Sequence, residues 1–222
     1  ERPLTAPTSA QRRQVLVLGG LILTTTVATT LAAFANPGAD ERLYAAIRGW
    51  TWLDALSWLE VAGTPLFLAG LGALVLLGWR CRTFLAVAAG ALAAGYMVGW
   101  VLATVVGRTR PVESPVAGAD SYPSLSILLL TVLAGLVPMA LESVTRKVRV
   151  RHVATTTLVL LDVGAALAQV HAGLHWPLDV AGAALIGAGL VVLARSVLEE
   201  PSWHRWCGSC LMSLAPWLMK FL

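Results

Sequence analysis

The chain is expected to fold as an all-α integral membrane protein: six transmembrane helices in one bundle, with amphipathic helices lying on the membrane surfaces. Three observations lead there. First, 57% of the 222 residues are hydrophobic and only 13% are charged, with a mean hydropathy of +0.75, too apolar for a soluble domain of this size. Second, long runs with almost no charge recur at lengths that cross a hydrocarbon core of ~30 Å. Third, basic residues are distributed unequally between alternate loops.

The runs are Val15 to Ala35, Val61 to Trp79, Thr83 to Val106, Leu125 to Leu141, Val153 to Val170 and Val180 to Val197. The first is read as a retained helix, since it is too long and lacks the small-residue cleavage pattern of a removable signal peptide. Stretches such as Ala86 to Ala94 and Ala181 to Ala188 supply small residues, which let helix backbones approach closely in lipid. Residues 1–198 therefore form one six-helix domain, with 1–14 as a cytoplasmic N-terminal segment.

With both termini in the cytoplasm, Arg2, Arg12, Arg13, Arg80, Arg82, Arg146, Lys147, Arg149, Arg151, Arg195, Arg205 and Lys220 face inward. Only Arg42, Arg48, Arg108 and Arg110 face outward, the bias that sets orientation in membranes. The net charge of +4 thus reflects cytoplasmic anchoring. No basic stripe interleaved with aromatics is present, so nucleic acid is not an expected partner. Arginine far outnumbers lysine, and with the abundant Ala and Gly this fits a bacterial inner membrane.

Two segments do not span. Over residues 40–60, Leu43, Ala46, Ile47, Trp50 and Leu53 recur at helical spacing opposite Glu41, Arg48 and Asp54, the pattern of an interfacial helix on the outer face. Residues 199–222 carry a second stripe, Trp203, Trp206, Cys207, Cys210, Leu214 and Trp217, expected to form a cytoplasmic tail helix. The Cys207-Gly208-Ser209-Cys210 spacing lacks the βαβ surroundings of a dithiol redox motif. Cys81 is also placed inside, so all three cysteines are expected to be reduced.

Candidate chemistry collects at the outer ends of three helices, where ionisable groups beside lipid are costly and point to function. The third span runs into Gly107-Arg108-Thr109-Arg110-Pro111, the fourth is entered through Ser121-Tyr122-Pro123-Ser124-Leu125-Ser126, and the fifth exits through His171-Ala172-Gly173-Leu174-His175-Trp176-Pro177-Leu178-Asp179. An Asp four residues after a His can share its helical face, so Asp179 can orient the His175 imidazole for attack on an electrophile. Arg110 can grip phosphate oxygens through its guanidinium fork, as can Arg108 if it is more than an interfacial anchor. Ser124 and Ser126 can add hydroxyls at a helix N-terminus, a position favourable to anions and equally suited to capping. His171, His175 and Asp179 have helical metal-ligand spacing, but Pro177 interrupts the run and a fourth ligand is not evident; no metal and no cofactor are expected. Asp162, deep in the fifth span, is expected to be protonated or bonded to a neighbouring helix.

On these residues the chain resembles the type 2 phosphatidic acid phosphatase superfamily, the lipid phosphate phosphatases. The family has six helices and an external site built from Lys-x6-Arg-Pro, Pro-Ser-Gly-His and Ser-Arg-x5-His-x3-Asp. The segment His175-Trp176-Pro177-Leu178-Asp179-Val180-Ala181-Gly182 looks like the third motif with its helix, and Arg108-Thr109-Arg110-Pro111 like the end of the first. The resemblance spans roughly residues 10–198. It implies that His175 forms a phosphohistidine, that Asp179 orients it, and that Arg110 and Ser124 hold phosphate oxygens.

The departures are specific. The first-motif Lys falls on Ala103, the Gly and His of the second on Leu125 and Ser126, and the Ser-Arg pair of the third on Ala168 and Gln169. A general acid is worth ~10² to 10⁴ in rate and each charged donor ~10² to 10³. A combined deficit on the order of 10⁵ lowers a typical turnover of ~10 per second to ~10⁻⁴. Arg108 as a substitute cation and His171 as a substitute acid are the nearby replacements. The expected function is an outward-facing pocket for a lipid phosphate or diphosphate, of the polyprenyl phosphate or phosphatidate class, with phosphatase activity weak or lost. An active phosphatase working through His175 is one alternative. The other is a non-catalytic structural or regulatory subunit, with a membrane-protein partner or as a homo-oligomer.

Overall fold

A computed structural model describes residues 17, 20–22, 24–28, 30–31, 37–79, 81–111, 114, 121–145 and 147–199. The described residues from 17 to 31 are helical. The ordered elements that follow are α1 (Pro37–Arg48), a 3-10 helix (Thr51–Leu56), α2 (Trp58–Gly78), α3 (Arg82–Val106), α4 (Leu125–Val144), α5 (Val148–His171) and α6 (Pro177–Glu199). Among the described residues there is no strand. Four helices are long and apolar enough to cross a membrane: Arg82–Val106, Leu125–Glu142, Val148–His171 and Pro177–Leu198. A shorter apolar stretch, Gly63–Gly78, lies in α2.

The bundle is organised around α4, which packs against α2, α3, α5 and α6. Ile127, Leu128, Val132 and Leu136 are fully buried there, whereas Leu76, Val105, Val153 and Leu160 on the surrounding helices are at least 65% exposed. A core enclosed by an apolar exterior suits a bilayer, where the solvent itself is apolar. Close approach depends on small residues. A Cβ on Gly187 of α6 would lie 2.8 Å from the backbone oxygen of Leu128, so any side chain there would force α6 away from α4. Within this core the Thr131 hydroxyl donates to Asp162 Oδ2 at 2.7 Å, joining α4 to α5.

Two features differ from the expectation. Residues 40–60 do not form one interfacial helix. The chain turns at Gly49, whose N–H bonds back to Ala45 and Ala46, and continues through the 3-10 helix into α2. Glu41, Arg48 and Asp54 are exposed and Leu53 is fully buried, as expected, but Asp40 at the start of the segment is 2% exposed. Cys81, expected to be reduced, is disulfide-bonded. Redox compartment governs which thiols oxidise, but it does not report which sulfurs the fold brings together. The expected tail helix over 199–222 lies outside the described residues beyond Glu199.

Candidate functional site

Three chain segments meet at one end of the bundle because each leaves its helix in a defined way. Helix α3 stops at Gly107, which adopts φ 56° and bonds back to Ala103. The left-handed conformation favours glycine and ends the helix sharply, so Arg108 to Arg110 leave along a new direction. Pro177 opens α6 at a position where proline's missing N–H carries no penalty. Asp179, in the first turn, reaches back to accept the Trp176 N–H at 3.0 Å, half of a capping box.

Hydrogen bonds between the segments hold them together. The Ser121 N–H donates to Arg108 O at 2.7 Å, and the Ser124 N–H to Asp179 O at 3.3 Å. Arg110 donates to Leu174 O at 2.7 Å, and the Trp176 indole to Thr109 O at 2.9 Å. Tyr122 is buried beneath them, its hydroxyl bonded to Thr30 and packed against Gly182, where a Cβ would meet the ring.

His175 sits in this lattice at 7% exposure. Its Nδ1 lies 2.8 Å from the Ser121 carbonyl oxygen. An acceptor there requires Nδ1 to carry the proton, which makes Nε2 the basic nitrogen of the ring. Burial, assisted by the nearby Arg110 guanidinium and opposed by the Ser121 bond, pushes the imidazole pKa down to about 4. The ring is therefore neutral at physiological pH and chemically able to act as a nucleophile.

This shift has a measurable sign. The unfolded imidazole titrates near 6.5 and holds a proton more tightly than the folded one. Stability is therefore complete above that value and falls as the pH drops towards 4, by up to roughly 3 kcal/mol. Thermal unfolding in detergent should lose less stability over this window in His175→Gln than in wild type. Parallel curves would refute the assignment.

The expected orienting role of Asp179 is not what the geometry places there. Its Oδ2 is 3.9 Å from His175 Nδ1, beyond hydrogen-bond reach. The carboxylate instead accepts from the Ser121 hydroxyl, the Trp176 N–H and Arg108 Nη1 at 2.6 Å. Capping α6 turns it away from the ring, and a backbone carbonyl takes over the orienting bond.

Arg108 bridges two carboxylates, meeting Asp40 at 2.5 Å through Nη2 and Asp179 through Nη1, with both acid side chains fully buried. Its guanidinium also lies 5.5 Å from the Trp176 ring centroid. Asp40 additionally accepts the Leu178 N–H at 3.2 Å, so α1 caps α6 from outside. These contacts make Arg108 a clamp between α1 and α6. Asp40, 68 residues from Arg108 in the chain, gave no local signal beyond an acidic residue in a helix's first turn.

Ser124 and Ser126 face Gln169. The Ser124 hydroxyl donates to Gln169 Oε1 at 2.8 Å, and Gln169 Nε2 donates to Ser126 Oγ at 2.8 Å. Although Ser124 occupies the N-cap of α4, its side chain makes no capping bond. His171, the candidate replacement acid, lies elsewhere in contact terms: its Nε2 is 2.9 Å from Asp54 and its Nδ1 is 3.4 Å from Ile47 O, tying α5 to the 47–54 segment. Among the described residues no three His, Cys, Asp or Glu side chains group as metal ligands.

No protein-family model matches the chain, and no curated protein matches its sequence. Among solved structures it is similar to a transmembrane PAP2-type phosphatidylglycerolphosphate phosphatase from Bacillus subtilis, with a TM-score of 0.67. The two are 17% identical, and the match covers 82% of this chain and 96% of the other. The helices whose connecting segments meet beside His175 are thus set in a known architecture: the chain has the fold of the PAP2-type transmembrane phosphatases, the type 2 phosphatidic acid phosphatases.

Proposed function

We propose that this protein is a member of the PAP2 superfamily that recognises a lipid phosphate at the end of the bundle carrying His175, with phosphatase activity weak or lost. The observation that carries the reading is the His175 ring: neutral, with Nδ1 held by the Ser121 carbonyl, and close enough to Arg110 for that charge to depress its protonation. The resemblance assigns the nucleophile to His175 and the phosphate-gripping cation to Arg110, and the electrostatic influence of Arg110 on the ring supports that reading.

The weakness follows from the remaining residues. Where the resembling family has an acid and a second arginine, Ser126 and Gln169 satisfy each other, and neither can protonate a leaving group or neutralise a phosphate at ordinary pH. Arg108 is engaged by two buried carboxylates, and His171 by Asp54. The two nearby replacements therefore have other partners.

In this reading six helices span the membrane, the first including the described helical residues between 17 and 31. Both termini are cytoplasmic in a bacterial inner membrane, and the site faces outward. The ligand, of the polyprenyl phosphate or phosphatidate class, enters sideways from the outer leaflet. Association with a membrane partner or a second copy is compatible with the small-residue helix faces.

The test is phosphate release by the purified full chain over a panel of lipid phosphates and diphosphates, beside His175→Ala. Release no faster than the variant, together with lipid phosphate binding that Arg110→Ala weakens, is the expected result. Turnover at ordinary enzymatic rates, abolished in His175→Ala, would overturn the loss of activity. Absence of any lipid phosphate binding would overturn recognition itself.

A further inference from the structure

Helix α1 packs against α5 and α6 through one narrow face. Of its described side chains only Asp40 and Ile47 are buried, with Tyr44 between them partly so, a spacing that puts the three on one side of a helix. Tyr44 meets the Trp176 ring at a centroid distance of 5.1 Å. An apolar residue at position 40 would complete this face at no electrostatic cost, whereas a carboxylate is expensive to bury unless its partners are already in place.

Those partners form an anion position. Arg108 Nη2 donates to Asp40 Oδ2 at 2.5 Å, and the Leu178 N–H donates to Oδ1 at 3.2 Å. A guanidinium arm and a backbone N–H in the first turn of a helix are donors suited to phosphate oxygens. Leu178 is the second residue of α6, and the other arm of Arg108 is fixed by Asp179 at 2.6 Å. Asp179 thus keeps the guanidinium beside the α6 N-terminus independently of Asp40. Leu178 follows His175 by three residues and Arg108 precedes Arg110 by two, so the position adjoins both segments that carry the candidate phosphate chemistry.

We infer that Arg108 Nη2 and the Leu178 N–H form a further phosphate-binding position, for an oxygen of the lipid phosphate, and that Asp40 shuts it by occupying it as an internal anion. The inference rests on the reading of this end of the bundle as a lipid phosphate site and adds a contact that α1 withholds. Two anions sharing one pair of donors repel strongly, so Asp40 and phosphate exclude each other there. While Asp40 is seated, both terminal nitrogens of Arg108 are committed to carboxylates and the ligand depends on Arg110. With Asp40 removed, Arg108 serves the ligand.

The experiment measures binding of dioctanoyl phosphatidate, dioctanoylglycerol and inorganic phosphate to the purified full chain in detergent, by calorimetry. Wild type is compared with Asp40→Ala and with Asp40→Ala combined with Arg108→Lys. Asp40→Ala should bind phosphatidate on the order of tenfold more tightly than wild type. Dioctanoylglycerol, which lacks the phosphate, should gain nothing; an equal gain would mean that truncation merely opened room for lipid, and would overturn the inference. Arg108→Lys in the same background should remove most of the phosphatidate gain, because one ammonium held by Asp179 lacks the second arm of the fork. A gain that survives intact would mean that loss of the Asp40 charge acts through the field alone, and would overturn the position.

If Asp40→Ala does not fold, Asp40→Asn decides, since it removes the charge at nearly constant shape and should tighten phosphatidate binding several-fold. Phosphatidate affinity unchanged or weakened in the folded Asp40 variant overturns the inference and leaves the site reading standing. A gain confined to inorganic phosphate overturns the lipid as the occupant. Failure of wild type and variants alike to bind phosphatidate, or binding indifferent to Arg110→Ala, would instead overturn the site reading beneath it.

Discussion

Replacing Arg108 by methionine is expected to destabilise the protein by about 3–5 kcal/mol, the cost of leaving a buried charge without its partner. Here two carboxylates would be stranded together, Asp40 and Asp179, both with fully buried side chains. Arg108→Lys should recover only part of the loss. One ammonium is a compact point charge, whereas the guanidinium fork reaches both acids at once. Adding Asp40→Asn and Asp179→Asn to Arg108→Met should restore most of the stability, since the charges then leave together.

Thermal unfolding in detergent reports these differences, and lipid phosphate binding measured on the same variants separates two roles. A clamp gives a large stability loss and little loss of binding in variants that remain folded. A ligand residue gives the reverse. Arg108→Met within about 1 kcal/mol of wild type, comparable to an exposed ion pair, would refute the clamp.

The residues that could be placed from the chain alone are those whose signal is one-dimensional. A run of apolar residues long enough to cross a bilayer needs no partner to be recognised, and five of the expected runs appear as helices close to their expected bounds, Thr83 to Val106 as Arg82–Val106 and Val180 to Val197 as Pro177–Glu199. The convergence of the 107–111, 121–126 and 171–179 segments was legible because alternate loops of a membrane bundle share a face.

What was not legible depends on three-dimensional partners. His175 and Asp179 have the spacing of a helical pair, but Pro177 starts a new helix between them, and Asp179 serves that helix's N-terminus instead. Asp40 was only the first residue of an expected surface helix, with no role assigned; its burial arises because Arg108 and the Leu178 N–H meet it across the fold. Gly49 breaks that surface helix through a turn that a hydrophobic period cannot reveal. The Gln169 bridge between Ser124 and Ser126 needed α4 and α5 placed side by side.

That bridge leads to the second large effect, a gain of function. Ser126→His and Gln169→Arg together would place an acid and a cation at adjacent positions, since the two native side chains are 2.8 Å apart. They would stand beside Ser124, whose backbone N–H is bonded to the Asp179 carbonyl, and so against the segment carrying His175. An acid to protonate the leaving oxygen and a donor to neutralise the transferred phosphoryl group are each worth ~10² or more. Phosphate release from a lipid monoester should therefore rise by on the order of 10³ over wild type. Adding His175→Ala must abolish the gain, because the new groups assist attack by that ring and cannot replace it. The activity should also acquire a basic limb set by the new histidine, which must be protonated to act as an acid, whereas the His175 nucleophile stays neutral down to about 4. Either single substitution should give less than its share, since acid and cation act on the same transition state. A folded double variant with no gain would mean that the His175 geometry itself, and not the missing acid and cation, holds the site inactive.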